Sequence, residues 1–287
     1  MIILDNAYEF NQEKFGDGTL KCCIDDVHTL LPDGIHKLTW CYDSDSELFT
    51  LMCIVDELRS IGCRDLKLCL PYIPNARQDR FVSGRLFTLK TFCKAINSMD
   101  FVEVEVLDPH SNVATALLDK VNPRFPDWST IINDFDDFTI MFPDAGAAKK
   151  YAENTNFAAG KEVIIGNKHR DRDGRISDYE LLNFVEGTKS VLIIDDICSY
   201  GGTFVSAAKA LREKGVEKIY LAVSHCEYNI FKGDVFNYVD TVYTTDSILD
   251  LEHTDIENYD EAKAARLNVQ ELYRKVRTFG FKVKEKE

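Results

Sequence analysis

Two adjacent carboxylates close an apolar run in Val191-Leu192-Ile193-Ile194-Asp195-Asp196, and Ile197-Cys198-Ser199-Tyr200-Gly201-Gly202-Thr203 follows. Asp195 and Asp196 are suited to accept hydrogen bonds from vicinal sugar hydroxyls. Gly201 and Gly202 let backbone N–H groups approach a phosphate closely, and a helix opening there favours its negative charge. Ser199 and Thr203 add hydroxyl donors, and Tyr200 adds an aromatic ring. The plainer alternative is a strand–turn–helix with glycine in the turn and a capping Asp. Two consecutive Asp residues at the end of a buried strand weigh against it, because burying them without partners is costly.

Other polar residues sit where an apolar run ends. Arg77-Gln78-Asp79-Arg80 follows a run closed by Pro71 and Pro74, and presents planar charged donors at a sheet edge. Taken alone it could equally be a solvated loop with an Arg–Asp pair. His110 follows Asp108-Pro109, Asp144 follows Pro143, and Lys168-His169-Arg170 opens a very polar segment running to Asp178. Singly, these could be a satisfied loop histidine, a helix cap and a solvated charge run.

The elements that must carry these residues alternate. Trp40 lies in a short strand-like run. Ser46 can cap a helix with Leu48, Leu51, Met52, Val55 and Leu58 at helical spacing and Gly62 as its stop. The pattern then predicts strand 66–70, helix 86–96 and strand 102–107. The Pro-, Asp- and Asn-rich loop from Asn122 to Asp137 marks the expected boundary between an N-terminal domain, 1–130, and a C-terminal domain, 131–260. Beyond it come strand 138–142, helix 145–153, strand 163–165, strand 191–194, helix 203–214 and strand 219–223. A helix across 265–280, centred on Val269 to Val276, is expected to pack back on the first domain. Alternation of this kind implies βαβ units with ligands beyond the C-terminal strand ends, where all the motifs above fall.

Composition narrows the function. The 287 residues are 45% hydrophobic and 29% charged, enough for a real core. Lys plus Arg is 34 and Asp plus Glu 48, a net charge of −14. Nonspecific binding to nucleic acid or to an anionic membrane needs the opposite sign, so neither is expected as a partner. The nine cysteines are scattered without a C-x-x-C pair, which points to reduced core residues and a cytoplasmic location. The N-terminus lacks the basic and apolar regions of a signal peptide, and no apolar run approaches the roughly 18 residues of a membrane span.

The Asp195–Thr203 segment resembles the ribose-phosphate-binding motif of type I phosphoribosyltransferases and of ribose-phosphate diphosphokinases. Leu70-Pro71-Tyr72-Ile73-Pro74-Asn75-Ala76-Arg77-Gln78-Asp79-Arg80 is similar to the P-Y-x-x-x-A-R-Q-D-R signature of the diphosphokinases alone. More segments match that family in order: Phe15-Gly16-Asp17-Gly18-Thr19 (F-S-D-G-E), Asp108-Pro109-His110 (D-L-H), Pro143-Asp144-Ala145-Gly146 (P-D-A-G), Lys168-His169-Arg170 (K-R-R) and Thr244-Thr245-Asp246-Ser247-Ile248 (V-T-D-T-I). The ordered set covers most of the chain, from Phe15 to about Leu272.

The resemblance implies an α/β fold of two phosphoribosyltransferase-like domains, each a mostly parallel sheet flanked by helices. It implies transfer of the β,γ-diphosphate of ATP to the C1 hydroxyl of ribose 5-phosphate. Lys168 and Arg170 would be catalytic, on a mobile loop. Arg77, Gln78, Asp79, Arg80 and His110 would hold ATP, with Asp17 contributed to a neighbouring subunit of a dimer or hexamer. Asp144, Asp195, Asp196 and Ser199 to Thr203 would hold the ribose phosphate, and His110 and Asp144 would serve Mg²⁺.

The chain departs from the family pattern in places. It begins almost directly at the F-x-D-G loop, so part of the usual N-terminal and regulatory surface is expected to be missing. Thr19 stands in place of Glu, and His169 in place of the middle Arg of K-R-R. Ser199-Tyr200-Gly201-Gly202-Thr203 replaces D-T-A-G-T, putting a ring where a small hydroxyl normally meets the phosphate, while Gly201 removes a methyl group and is expected to open space. That change opens the reading that the 5-phosphate bears a substituent, with ADP-ribose as acceptor and NAD rebuilding as the use. A phosphoribosyltransferase and an inactive regulatory homologue are the remaining alternatives.

Overall fold

The structure is a computed structural model. It describes residues 1–22, 34–128, 138–155, 158, 160–170, 176–250 and 261–274. They form two compact units, Met1–Arg124 with Tyr273 and Arg274, and Phe125–Leu272. Among the described residues no helix is long and apolar enough to cross a membrane.

The first unit contains β1 (Ile2–Leu4), β2 (Tyr8–Glu9), β3 (Gln12–Lys14), β4 (Leu20–Cys22), β5 (His36–Trp40), α1 (Ser46–Ser60), β6 (Leu66–Leu70), α2 (Thr88–Ser98), β7 (Glu103–Leu107), α3 (Asn112–Leu117) and β8 (Val121–Arg124). Its sheet runs β2-β1-β5-β6-β7-β8, with β5 to β8 parallel and β1 antiparallel to both neighbours. Strands β3 and β4 form a separate hairpin.

Leu66, Leu68 and Leu70 of the central strand pack with Leu51, Ile54, Val55 and Leu58 of α1 and with Leu89, Phe92 and Ile96 of α2. The α1 set recurs at i, i+3, i+4 and i+7, the period of one buried helix face. Ser46 is not the cap, however. Asp45 already has helical backbone (φ −62°, ψ −25°), which places Ser46 inside the first turn. Helix α2 likewise starts at Thr88 rather than Leu86, which is 77% exposed. The expected loop from Asn122 loses its first three residues to β8, which pairs with β7; residues 129–137 of it lie outside the described residues.

The second unit contains β9 (Thr139–Phe142), α4 (Ala145–Asn154), β10 (Val163–Arg170), β11 (Ile176–Leu182), β12 (Ser190–Cys198), α5 (Gly202–Glu213), β13 (Lys218–Cys226), a 3-10 turn (Tyr228–Lys232), α6 (Val235–Tyr238), β14 (Thr241–Thr245), α7 (Glu261–Ala264) and β15 (Leu267–Gln270). The sheet order is β11-β10-β9-β12-β13-β14-β15, parallel throughout except for β11. The central strand β12 is buried on both faces. Val191 and Ile193 pack with Phe204, Ala207 and Leu211 of α5. Leu192 and Ile194 pack with Ala147 and Tyr151 of α4. The unbroken apolar run is what a strand covered by helices on both sides requires.

Two expectations are corrected here. The polar segment from Lys168 is not a loop on its described residues. It extends β10 and, with β11, makes a hairpin in which Lys168 pairs with Tyr179. The helix expected across 265–280 is a strand at Leu267–Gln270, parallel to β14. Leu267 and Val269 alternate with Asn268 and Gln270, which is a strand period rather than a helical one. Tyr273 and Arg274 belong to the first unit, where Arg274 Nη1 donates to Asp43 Oδ1 at 3.4 Å. Residues 275–280 lie outside the described residues.

Candidate functional site

In the second unit, polar residues converge at the C-terminal ends of β9, β10 and β12. The chain leaves β9 through Pro143, and Asp144 becomes the cap of α4, its Oδ1 accepting the Ala147 N–H at 2.9 Å. Its Oδ2 accepts from Lys168 Nζ, at the end of β10, at 2.6 Å. Burial works to raise the Asp144 pKa, but the Lys168 ammonium and the first N–H groups of α4 outweigh it and hold the carboxyl below its usual range. Arg170 occupies the last position of β10; its side chain and that of His169 lie outside the described residues, as do residues 171–175.

Strand β12 runs on through both acidic residues, further than the apolar run alone foretold. Successive side chains therefore alternate between faces. Asp196 continues the row of Leu192 and Ile194 toward α4, where its Oδ2 accepts from Lys150 Nζ at 3.0 Å. Both partners are largely buried, with side-chain exposures of 15% for Lys150 and 8% for Asp196. Asp195 continues the row of Val191 and Ile193, and its Oδ1 accepts its neighbour's backbone N–H at 2.9 Å. Burial, followed by the negative charges of Asp196 and Asp144, pushes the Asp195 carboxyl well above its usual range. A group in that state gains from a cation or a hydroxyl donor brought by a ligand.

The turn after β12 leads directly into α5, so the glycines stand at a helix N-terminus. Gly201 is the N-cap of α5 with a left-handed φ of 78°. A Cβ there would meet Val235 Cγ2 at 1.9 Å, so both conformation and space demand glycine, and the space expected to open beside Gly201 is filled by Val235. Gly202, the first helical residue, faces open space. Ser199 Oγ accepts from Asn229 Nδ2 at 3.4 Å, and Thr203 lies in the first turn of α5. Tyr200 is 56% exposed.

In the first unit, the stretch after β6 is anchored by buried Ile73 and Ala76 and turned by Asn75 at φ 64°. It then presents Arg77 and Gln78, both exposed. Gln78 Oε1 accepts from Thr88 Oγ1 of α2 at 2.9 Å. Asp79 Oδ1 lies 3.9 Å from Arg80 Nε, and the Arg80 side chain is 84% exposed. After β7, the buried Asp108 takes a φ of 38°, a strained value for a non-glycine residue, and the turn puts His110 at the surface. Asp17 lies at the tip of the β3–β4 hairpin, its Oδ1 accepting from Thr19 N at 3.0 Å and Thr19 Oγ1 at 2.7 Å. These local bonds hold its carboxyl below the usual range.

Lys150 and Tyr179 were missed by sequence reasoning. Lys150 follows Asp144 by six residues in α4, and only the strand character of Asp196 shows that it has a partner there. The Tyr179 hydroxyl donates to Pro143 O at 2.8 Å, a contact legible only once β10 and β11 are read as a hairpin.

Among the described residues, no three His, Cys, Asp or Glu side chains cluster to enclose a metal. The donors still suit Mg²⁺, which takes one or two carboxylates and fills its other positions with water and substrate phosphate oxygens. Asp144 offers such a carboxylate once Lys168 releases it.

A central strand delivering acidic side chains to a glycine turn, within a parallel sheet covered by helices, defines a phosphoribosyltransferase-like α/β protein. No protein-family model matches the chain. It is 26% identical over 220 residues to ribose-phosphate pyrophosphokinase from Marinomonas sp., covering 72% of this chain and 69% of that protein. The enzyme of that name from Saccharolobus solfataricus is 32% identical over 193 residues, covering 64% and 65%. The one from Campylobacter jejuni is 26% identical over 251 residues, covering 82% and 78%. The crystal structure of phosphoribosylpyrophosphate synthetase from Mycobacterium smegmatis shares the fold, with a TM-score of 0.70 and 17% identity over 91% of this chain and 85% of that one. The chain is thus similar in sequence to several ribose-phosphate pyrophosphokinases, which are transferases.

Proposed function

We propose that the chain transfers the β,γ-diphosphoryl group of ATP to the C1 hydroxyl of ribose 5-phosphate, or of a 5-phosphate-substituted derivative, with release of AMP. The observation that supports this most is the delivery of Asp195 and Asp196 by β12 to the Gly201–Gly202 turn at the start of α5. The acidic pair suits the ribose hydroxyls, while the turn and helix N-terminus suit the 5-phosphate.

The C1 hydroxyl oxygen attacks the β-phosphorus and gives up its proton to water. The bond from that phosphorus to the oxygen bridging it to the α-phosphate breaks, and AMP departs. Negative charge grows on the phosphoryl oxygens, so catalysis rests on position and on preorganised positive charge. Lys168 and Arg170 supply that charge. Arg77, Gln78, Asp79 and Arg80 bind ATP, and Asp17 serves the ATP of a second copy in a dimer or hexamer. His110 and Asp144 would hold Mg²⁺, which neutralises and orients the triphosphate when bound.

A second reading concerns the acceptor. Tyr200 is more than half exposed beside Gly202, where a Cβ would meet nothing within 4 Å. An exposed ring there could stack on the base of a substituent on the 5-phosphate or flank its diphosphate. ADP-ribose is the natural candidate, giving its 1-diphosphate for use in rebuilding NAD. An AMP-release assay across acceptors tests both readings. Turnover of ADP-ribose in preference to ribose 5-phosphate supports the second, and turnover of ribose 5-phosphate alone removes it. Failure to release AMP with every acceptor removes both.

A further inference from the structure

We propose that Tyr179 is a positioning residue: its hydroxyl ties the turn that carries Asp144 to the strand pair that carries Lys168, and so sets where the Lys168 ammonium stands. This rests on the functional reading above, in which Lys168 stabilises the transferring phosphoryl group.

Tyr179 on β11 is directly opposite Lys168 on β10, so the two side chains leave the same face of the hairpin. Gly166 precedes Lys168 by two residues and lies on that face as well. Its missing side chain is what lets the Tyr179 ring cross the strand. A Cβ on Gly166 would stand 2.1 Å from the Tyr179 hydroxyl and 2.6 Å from Pro143 O. The hydroxyl then donates to Pro143 O at 2.8 Å, one residue before Asp144. Asp144 accepts from Lys168 at 2.6 Å, and this closes a ring of contacts: Tyr179, Pro143, Asp144, Lys168 and back across the ladder to Tyr179.

Each link has a separate physical basis, namely a backbone ladder, a neutral hydrogen bond and a charge-assisted one. Burial, with the Asp144 and Asp195 charges, raises the Tyr179 pKa, so the hydroxyl remains a donor throughout the working range. Tyr179 also packs against the apolar cluster under α5, and for that purpose alone Phe would serve equally well. The hydroxyl is the part that packing does not explain.

The test is Tyr179→Phe in the full-length enzyme, alone and with Lys168→Met. The single variant should keep its melting temperature within a few degrees and its acceptor KM within about twofold, and lose about tenfold in kcat. In the Lys168→Met background the same change should cost less than about twofold, because the group being positioned is gone. Gly166→Ala, which pushes the hydroxyl off Pro143 O, should give a similar kcat loss. Wild-type kcat in Tyr179→Phe, or a full additional loss on top of Lys168→Met, overturns the proposal. The ¹⁵N signal of the Lys168 ammonium reads the tie without turnover. It should shift in Tyr179→Phe, and an unchanged signal overturns the proposal whatever the activity. Failure of the wild-type chain to form AMP with any acceptor sinks the functional reading instead.

Discussion

Lys168 Nζ stands 2.6 Å from Asp144 Oδ2, while Oδ1 of the same carboxylate caps α4 through Ala147 N. The proposed catalytic cation and a proposed magnesium ligand thus neutralise each other. In the proposed reaction a triphosphate would offer Lys168 a different anion, and Asp144 would then have a carboxylate oxygen to give to Mg²⁺.

Replacing Lys168 by Ala should lower kcat by about 100-fold or more, as loss of a preorganised charge does in related chemistries. The ion pair is partly exposed, so stability should barely change. AMP release and thermal melting measured on the same preparation separate these effects. A variant that melts normally and turns over at the wild-type rate removes Lys168 from the mechanism.

Asp144 adds a pH dependence of known sign. Its folded carboxyl lies below the ordinary value of 3.8, so its stabilisation is complete above that value and is lost as pH falls through the folded one. The stability gap between wild type and Asp144→Asn should therefore narrow as pH drops from about 5 to about 3, measured by urea unfolding. A gap independent of pH contradicts this.

Asp195 should behave in the opposite way. Its folded carboxyl is raised, so ionisation opposes folding at neutral pH, and the opposition fades as pH falls through the raised value. Asp195→Asn should match or exceed wild type in stability at pH 7 and still lose acceptor binding. The Asp196–Lys150 pair differs. Truncating Asp196 to Ala strands a largely buried ammonium, at a cost of about 3 kcal/mol by denaturant titration.

The two glycines of the phosphate turn should respond unequally. Gly201→Ala adds a left-handed alanine and a clash with Val235, and should cost about 2 kcal/mol or more together with acceptor binding. Gly202→Ala meets open space and should shift stability by less than about 0.5 kcal/mol. Equal effects at the two positions would show that the turn is shaped differently.

Tyr200→Ala removes an exposed ring, so stability should stay within about 0.5 kcal/mol of wild type. If the ring serves a substituent on the acceptor phosphate, KM for ADP-ribose should rise while that for ribose 5-phosphate holds. Competition kinetics with both acceptors reads the difference.

Much of this arrangement was legible in the sequence, because buried parallel strands appear as apolar runs and their polar ends stand out. Val191 to Ile194 located β12, and Gly201 and Gly202 located the turn. Apolar pattern was a poor guide where pairing decides structure. Lys168 to Arg170 is strand because β11 pairs with it, and Asp195 and Asp196 extend β12 although neither is apolar. The partners Lys150 and Tyr179 depend on which face each strand residue takes, and a one-residue change of register would reverse that. The Leu267–Gln270 strand was mistaken for helix because four residues carry little periodic signal against a helix-rich surrounding composition.

The most direct test of the central claim is ³¹P NMR of the full-length chain with ATP, Mg²⁺ and either ribose 5-phosphate or ADP-ribose. The account predicts one equivalent of AMP and a new pair of coupled diphosphate resonances on the sugar C1 oxygen. ADP with a singly phosphorylated sugar, or unchanged ATP with both acceptors, would contradict it.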